Sequence, residues 1–221
     1  MDLTALEGCC AGQTAWVFGS GATMNHLDPR FFEDKLTIST NLGAVRFGVR
    51  PDFVFSHYHH IAAEALELGC PVVTLAGDTL TGEAWVGPKP HHLVLVELPS
   101  YVGPSDRFAP AGPPAPGQLV YGSSSLHGAM HLAAYIGAAH LVVVGADCGR
   151  LDGESNLHGY AKLGDGVGGP EQDRILSLYE RDHRRMKAWL AEQYGVTVYS
   201  LNPFVNLNLE GHTFQGPDGR Y

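Results

Sequence analysis

The sequence predicts a single Rossmann-like α/β domain, doubly wound on a mostly parallel sheet. Strand and helix signals alternate along the chain, the strand at 141–144 is apolar without a break, and two strand ends run into glycine or polar residues. Unbroken apolar runs suit strands covered on both faces, as in parallel sheets flanked by helices. The 221 residues are the size of one such domain with a self-sufficient core, so 1–221 reads as one unit.

The first strand, Thr14-Ala15-Trp16-Val17-Phe18, ends in Gly19-Ser20-Gly21-Ala22-Thr23. Asp28-Pro29 is an N-cap with proline at the first helical position, opening a short helix to residue 35. A strand over 36–40 ends at Asn41, residues 42–48 make a helical turn, and Asp52-Phe53-Val54-Phe55-Ser56 is a third strand. Apolar spacing at Ile61, Ala62, Ala65, Leu66 and Leu68 predicts a helix over 59–69, stopped by Gly69. Strands follow at 71–75 and 92–98. Residues 99–117, rich in proline and glycine, form a loop that serves as a lid or a surface excursion. Strand and helix signals resume after it, which rules out a linker between domains. Ser123-Ser124-Ser125 opens a small-residue helix to Gly137, and the 141–144 strand and a glycine-rich loop over 149–170 follow. The longest helix covers 171–194, stops at Gly195, and leads to a last strand at 196–200.

The balance of 23 acidic against 14 basic side chains, a formal net charge of -9, disfavours general binding to nucleic acid or an anionic membrane. No run approaches the roughly 18 apolar residues of a membrane span. Residues 1–4 lack the basic segment and apolar core of a signal peptide. Cys9, Cys10, Cys70 and Cys148 show no CxxC spacing and read as reduced thiols. A soluble, cytoplasmic protein is the expectation.

Several groups of residues are able to carry chemistry. Gly19, Ser20 and Gly21, with Thr23, offer backbone amides and hydroxyls to a phosphate or ribose, or else make a tight turn. Ser123, Ser124 and Ser125 at a helix start offer an anion site, or ordinary capping. Asn41 reads a base or ribose, or fills a turn. Asp147, just past a strand in Gly145-Ala146-Asp147, is placed to hold Mg²⁺ or a hydroxyl, or to cap its loop. With Asp152 and His158 downstream, a histidine base joins that group, the alternative being an exposed loop residue. The run His57-Tyr58-His59-His60 offers alternating imidazoles for a metal, yet the Asp-His half of a metallo-hydrolase motif is missing, so cleft lining or helix capping is the preferred reading. His91-His92 reads as loop surface. Arg174, Arg181, Arg184, Arg185 and Lys187 form a solvated helix face, from which one cation turned inward would neutralise a phosphate.

Taken in order, these segments resemble the superfamily that unites the DUF115 (MptE-like) proteins with bacterial sialyltransferases of glycosyltransferase family 42. The resemblance rests on the Gly-Ser-Gly turn, Asn41, Arg50-Pro51-Asp52-Phe53-Val54, Ser124-Ser125 opening a small-residue helix, and Gly145-Ala146-Asp147. Further matches are Asp152-Gly153 with His158-Gly159 and the ending Val198-Tyr199-Ser200-Leu201-Asn202-Pro203. The sialyltransferase branch implies a CMP-sugar lying across Gly19, Ser20, Gly21, Asn41 and Ser125, with no metal. The pterin branch implies ATP and Mg²⁺ in a hydroxymethylpterin diphosphokinase. After Asp52-Phe53-Val54-Phe55 the chain continues Ser56-His57-Tyr58-His59 where diphosphokinases carry an Asp-rich element, which favours sugar transfer. The sialyltransferase histidine has no match near 174–178, so His158, or His57 or His59, takes its place.

The resulting expectation is a nucleotide-dependent transferase, a glycosyltransferase before a diphosphotransferase or a non-catalytic nucleotide-binding module. Gly19, Ser20, Gly21 and Asn41 hold the nucleotide, Ser124 and Ser125 its phosphate, Asp147 orients ribose or acceptor, and His158 is the general base. No cofactor is implied except Mg²⁺ in the diphosphokinase case. Partners are a nucleotide or nucleotide-sugar and a small-molecule or glycan acceptor, with homo-oligomerisation left open.

Overall fold

The computed structural model describes residues 2–78, 81–96, 114, 117–120, 122–151, 153–160 and 170–201, with 170–173 by backbone alone. Its strands are β1 (Thr14–Phe18), β2 (Leu36–Thr40), β3 (Phe53–Ser56), β4 (Val72–Leu75), β5 (Leu93–Val96), β6 (His140–Val144) and β7 (Thr197–Ser200). The α-helices are α1 (Gly43–Phe47), α2 (His59–Glu67), α3 (Ser125–Tyr135) and α4 (Pro170–Tyr194). All strand pairs are parallel, and the sheet runs β5-β4-β3-β2-β1-β6-β7. This is the Rossmann-like α/β architecture that the alternating signals predict.

Pleating explains which side chain goes where. In β1, Ala15 and Val17 join the cluster beneath α3 and α4, while Trp16 and Phe18 turn to the opposite face with Phe32 and Phe47. In β6, Leu141 and Val143 face the α3 side and Val144 the other. Helix α2 covers the second face through Ala62 and Ala65, against Val54 and Val72. Helix α3 is buried along its whole length, which its small residues permit. At Gly128 an added Cβ would lie 2.2 Å from the Phe55 ring, so any larger residue would push the helix off the sheet. Fully burying a side chain such as Phe55 contributes about 1.5–3 kcal/mol.

The chain steps outward from β1 through β2, β3, β4 and β5. It then crosses back through α3 to lay β6 on the other side of β1. The strand order therefore reverses at β1 and β6, and in open parallel sheets ligands bind beyond the strand carboxyl ends at such a point. Among the described residues no helix is long and apolar enough to cross a membrane.

The expected helix over 28–35 is a 3-10 turn, Pro29–Phe32, although Asp28 caps it by accepting the Arg30 N–H at 3.0 Å. It is cut short because Phe32 must drop into the core against Phe18 and because β2 begins at Leu36. Two further 3-10 helices, Leu3–Leu6 and Ala22–His26, carry no apolar periodicity that would reveal them in the sequence. Most of the 99–117 and 149–170 loops' predicted features, and Asp152, Asn202 and Pro203, lie outside the described residues.

Candidate functional site

Gly19 to Gly21, Asn41, His57, Ser125 and Asp147 line one edge of the sheet, on the carboxyl side of the strands. At the switch point the tips of β1 and β6 are sewn together. The Gly19 N–H donates to the Val144 carbonyl at 2.7 Å, and the Gly21 N–H to the Gly145 carbonyl at 2.6 Å. A Cβ on Gly19 would lie 2.4 Å from the Gly145 oxygen, and one on Gly21 2.6 Å from the Asp147 carboxylate. Glycine is needed here for close approach of two backbones. The amides of Gly19 and Gly21 are thus engaged by β6, where the sequence reading has them facing a phosphate.

Asp147 is 2% exposed, and its Oδ2 accepts the Thr23 N–H at 2.7 Å. That charge-assisted bond starts the 3-10 helix Ala22–His26, so the carboxylate ties the β6 tip to the segment after β1. The loop bearing His158 docks on the same segment. Leu157 N–H donates to the Ser20 carbonyl at 2.8 Å, and His158 N–H to Asn25 Oδ1 at 2.8 Å. The His158 ring itself is exposed, with Nε2 2.9 Å from Glu154 Oε2.

The edge continues without a gap toward β3. Gly43, at the start of α1, lies so near β1 that a Cβ would stand 1.9 Å from the Gly19 carbonyl oxygen. Asn41 adopts φ +52°, which Asn tolerates better than most residues, and its N–H donates to the Phe55 carbonyl at 2.8 Å. Its Oδ1 accepts from Ser56 Oγ at 2.9 Å. The residue is the corner between β2 and α1 and also presents an amide at the edge.

Beyond β3 stands the first turn of α3. Ser124 is the N-cap, its Oγ accepting the Leu126 N–H at 3.2 Å in a capping box closed by His127. Ser125 Oγ lies 2.9 Å from His57 Nδ1. Ser123 Oγ donates to Asp182 Oδ2 at 2.7 Å, and the same carboxylate receives Arg181 Nε at 3.1 Å. Arg185 stands 3.6 Å away, so two guanidinium groups are held near the serine turn through one buried acid.

The histidine run does not converge. His57 faces Ser125, His59 Nε2 lies 2.9 Å from the Leu75 carbonyl oxygen, and His60 stacks near Tyr58. Among the described residues no three metal-binding side chains come together. Burial lowers the His57 pKa to about 4, against the opposing pull of the Asp78 carboxylate. His91 is exposed, whereas His92 is half-buried and lines an apolar cavity of about 330 Å³ with Leu36, Phe53 and Val94. That cavity lies at the amino ends of the strands, away from Gly19, Asn41, His57, Ser125 and Asp147 at their carboxyl ends.

The Ser125–His57 contact and the place of Asp78 are absent from the sequence reading, because 68 residues separate Ser125 from His57 and no local pattern joins them. Compared with known proteins, the chain matches no family model, no curated protein and no solved structure.

Proposed function

We propose that the protein is a nucleotide-dependent transferase that moves a sugar from a nucleotide-sugar donor of the CMP-sugar kind to an acceptor hydroxyl. The polar edge that starts with Asp147, Gly19, Ser20 and Gly21 at the switch point of the parallel sheet and runs past Asn41 to Ser125 beside the tip of β3 carries this reading. Ribose and base lie along Ser20 and Asn41. The phosphate lies at the first turn of α3, where the helix dipole and the Ser125 N–H, which has no acceptor within the helix, favour an anion. Ser124 and Ser125 line that turn, and Arg181 and Arg185 add positive charge. Asp147 orients the ribose or acceptor through the segment it caps.

His158 is the general base on the acceptor hydroxyl. Its exposure leaves it within reach of an incoming molecule, and Glu154 Oε2 beside Nε2 orients the ring. A thermal-shift screen against CMP, CDP, UDP, GDP, ADP and ATP, each with and without Mg²⁺, tests the assignment. Cytidine nucleotides should raise the melting temperature without metal. A shift with ATP and Mg²⁺ alone would move the protein to diphosphate transfer, and no shift with any nucleotide would refute the reading. Ser125→Leu should weaken nucleotide binding about tenfold, the ~1.4 kcal/mol of one lost contact. Calorimetric titration of the same nucleotide checks it, and unchanged affinity would remove Ser125 from the site.

A further inference from the structure

Ser125 lines the phosphate turn in the nucleotide reading, but its contact with His57 has no part there. Capping of α3 does not need it, since Ser124 already satisfies the Leu126 N–H. The pair lies just inside the polar edge, with Ser125 8% and His57 3% exposed. Burial holds the imidazole in its neutral form, so Nδ1 carries a lone pair free of a competing charge when Oγ is its neighbour. The nearby Asp78 carboxylate favours the protonated ring, and it is held in place by the His59 N–H at 2.6 Å and the Thr81 N–H at 3.0 Å. A neutral imidazole within hydrogen-bond reach of a serine hydroxyl, with a carboxylate near enough to favour the imidazolium, is an arrangement that activates serine as a nucleophile. Ser125 is also the first residue of α3, so its own N–H has no acceptor within the helix. An oxyanion growing on a carbonyl attacked by Oγ would meet that N–H and the positive end of the helix dipole.

We propose that Ser125 and His57 are a nucleophile–base pair acting on acyl esters, an activity beyond the transferase reading. With the ring hydrogen on Nε2, Nδ1 is the acceptor for the serine proton. Oγ attacks the ester carbonyl carbon as its proton passes to Nδ1. The tetrahedral intermediate collapses, the bond from carbon to the alkoxy oxygen breaks, and His57 returns the proton to give the alcohol. Water then attacks the acyl-serine, losing a proton to His57, and the carboxylic acid leaves as Ser125 Oγ regains its hydrogen. One ester and one water are consumed, one alcohol and one acid appear, and nothing is oxidised or reduced.

The test is covalent labelling of the full chain with a biotinylated fluorophosphonate, with the adduct located by tandem mass spectrometry. p-Nitrophenyl acetate, followed by its burst of p-nitrophenolate, is the second probe. The expected result is an adduct on Ser125, a burst approaching one equivalent, and loss of both in Ser125→Ala. His57→Gln, checked for native circular dichroism, should slow labelling at least about 100-fold, the lower range of general-base catalysis. If that variant does not fold, Ser125→Cys replaces it, and the new thiol should react with iodoacetamide faster than the exposed Cys9. No adduct on Ser125, an unchanged labelling rate in folded His57→Gln, or a new thiol slower than Cys9 would each overturn the proposal.

Discussion

Single atoms decide much at the ligand edge. Gly43 faces the Gly19 carbonyl oxygen so closely that a methyl group there would displace α1 from β1. Gly43→Ala should therefore lower stability by about 1–3 kcal/mol, the cost of overpacking a fitted contact. Gly77 is the control, because an added Cβ would meet nothing within 4 Å and its backbone lies outside the left-handed region. Gly77→Ala should be neutral or slightly stabilising, by up to about 1 kcal/mol. Urea denaturation of both variants decides the point, and equal midpoints would show that the contact is not tight. Asp147 has a structural duty in addition to its proposed one, since it caps Thr23. Asp147→Ala should lose about 1–3 kcal/mol through the buried N–H left without its acceptor. Asp147→Asn keeps an oxygen there and should recover much of that loss. If the Asn variant melts like the parent chain but no longer responds to nucleotide, the carboxylate acts on ligand as well as on fold.

Between α3 and α4 the seam is built from imidazoles. His127 Nε2 meets His183 Nδ1 at 2.8 Å, and His131 Nε2 meets the Tyr194 hydroxyl at 2.6 Å. The His131 Nδ1 accepts the Val120 N–H at 2.7 Å, which fixes that nitrogen as unprotonated. Burial lowers the pKa of both His127 and His131 to about 3. In the unfolded chain both take up protons near the ordinary 6.5, whereas the folded protein refuses them until about 3. Stability is thus complete above about pH 6.5 and falls as pH drops through that window. Each buried histidine contributes up to about 1.4 kcal/mol per pH unit to the loss. The urea midpoint should be clearly lower at pH 5 than at pH 7.5, and equal midpoints would contradict the neutral seam. The elements themselves are legible from sequence where burial follows a simple rule. Strand β2 spans the residues its apolar and β-branched run marks, and α3 begins where the serine cap places it. The 3-10 helix Ala22–His26 escapes because its cap comes from Asp147, a residue from the far side of the sheet crossover. A local pattern holds no trace of such an acceptor.

At the scale of the molecule, the strand order explains why scattered signals mark one place. The carboxyl ends of parallel strands all face one edge, so residues 19–21, 41, 57, 78 and 147 are brought together by topology alone. A sequence reading that assigns parallel strands finds this edge without knowing the strand order. What it lacks is lateral order along the edge, set by the crossover through α3. That order puts Ser125 beside the tip of β3 rather than at β1 and β6, and so pairs it with His57. It also assigns Gly19 and Gly21 to joining two strands, a role that glycine content alone does not separate from phosphate binding.

Trp189 lies edge-on to His131 with ring centroids 5.0 Å apart, and 5.8 Å from the Tyr194 ring. Its indole N–H meets no acceptor among the described residues. A buried indole of this kind emits toward the blue, and an imidazolium formed against it would quench that emission. The protein therefore contains its own optical gauge of the helix seam, readable in a fluorimeter without any label.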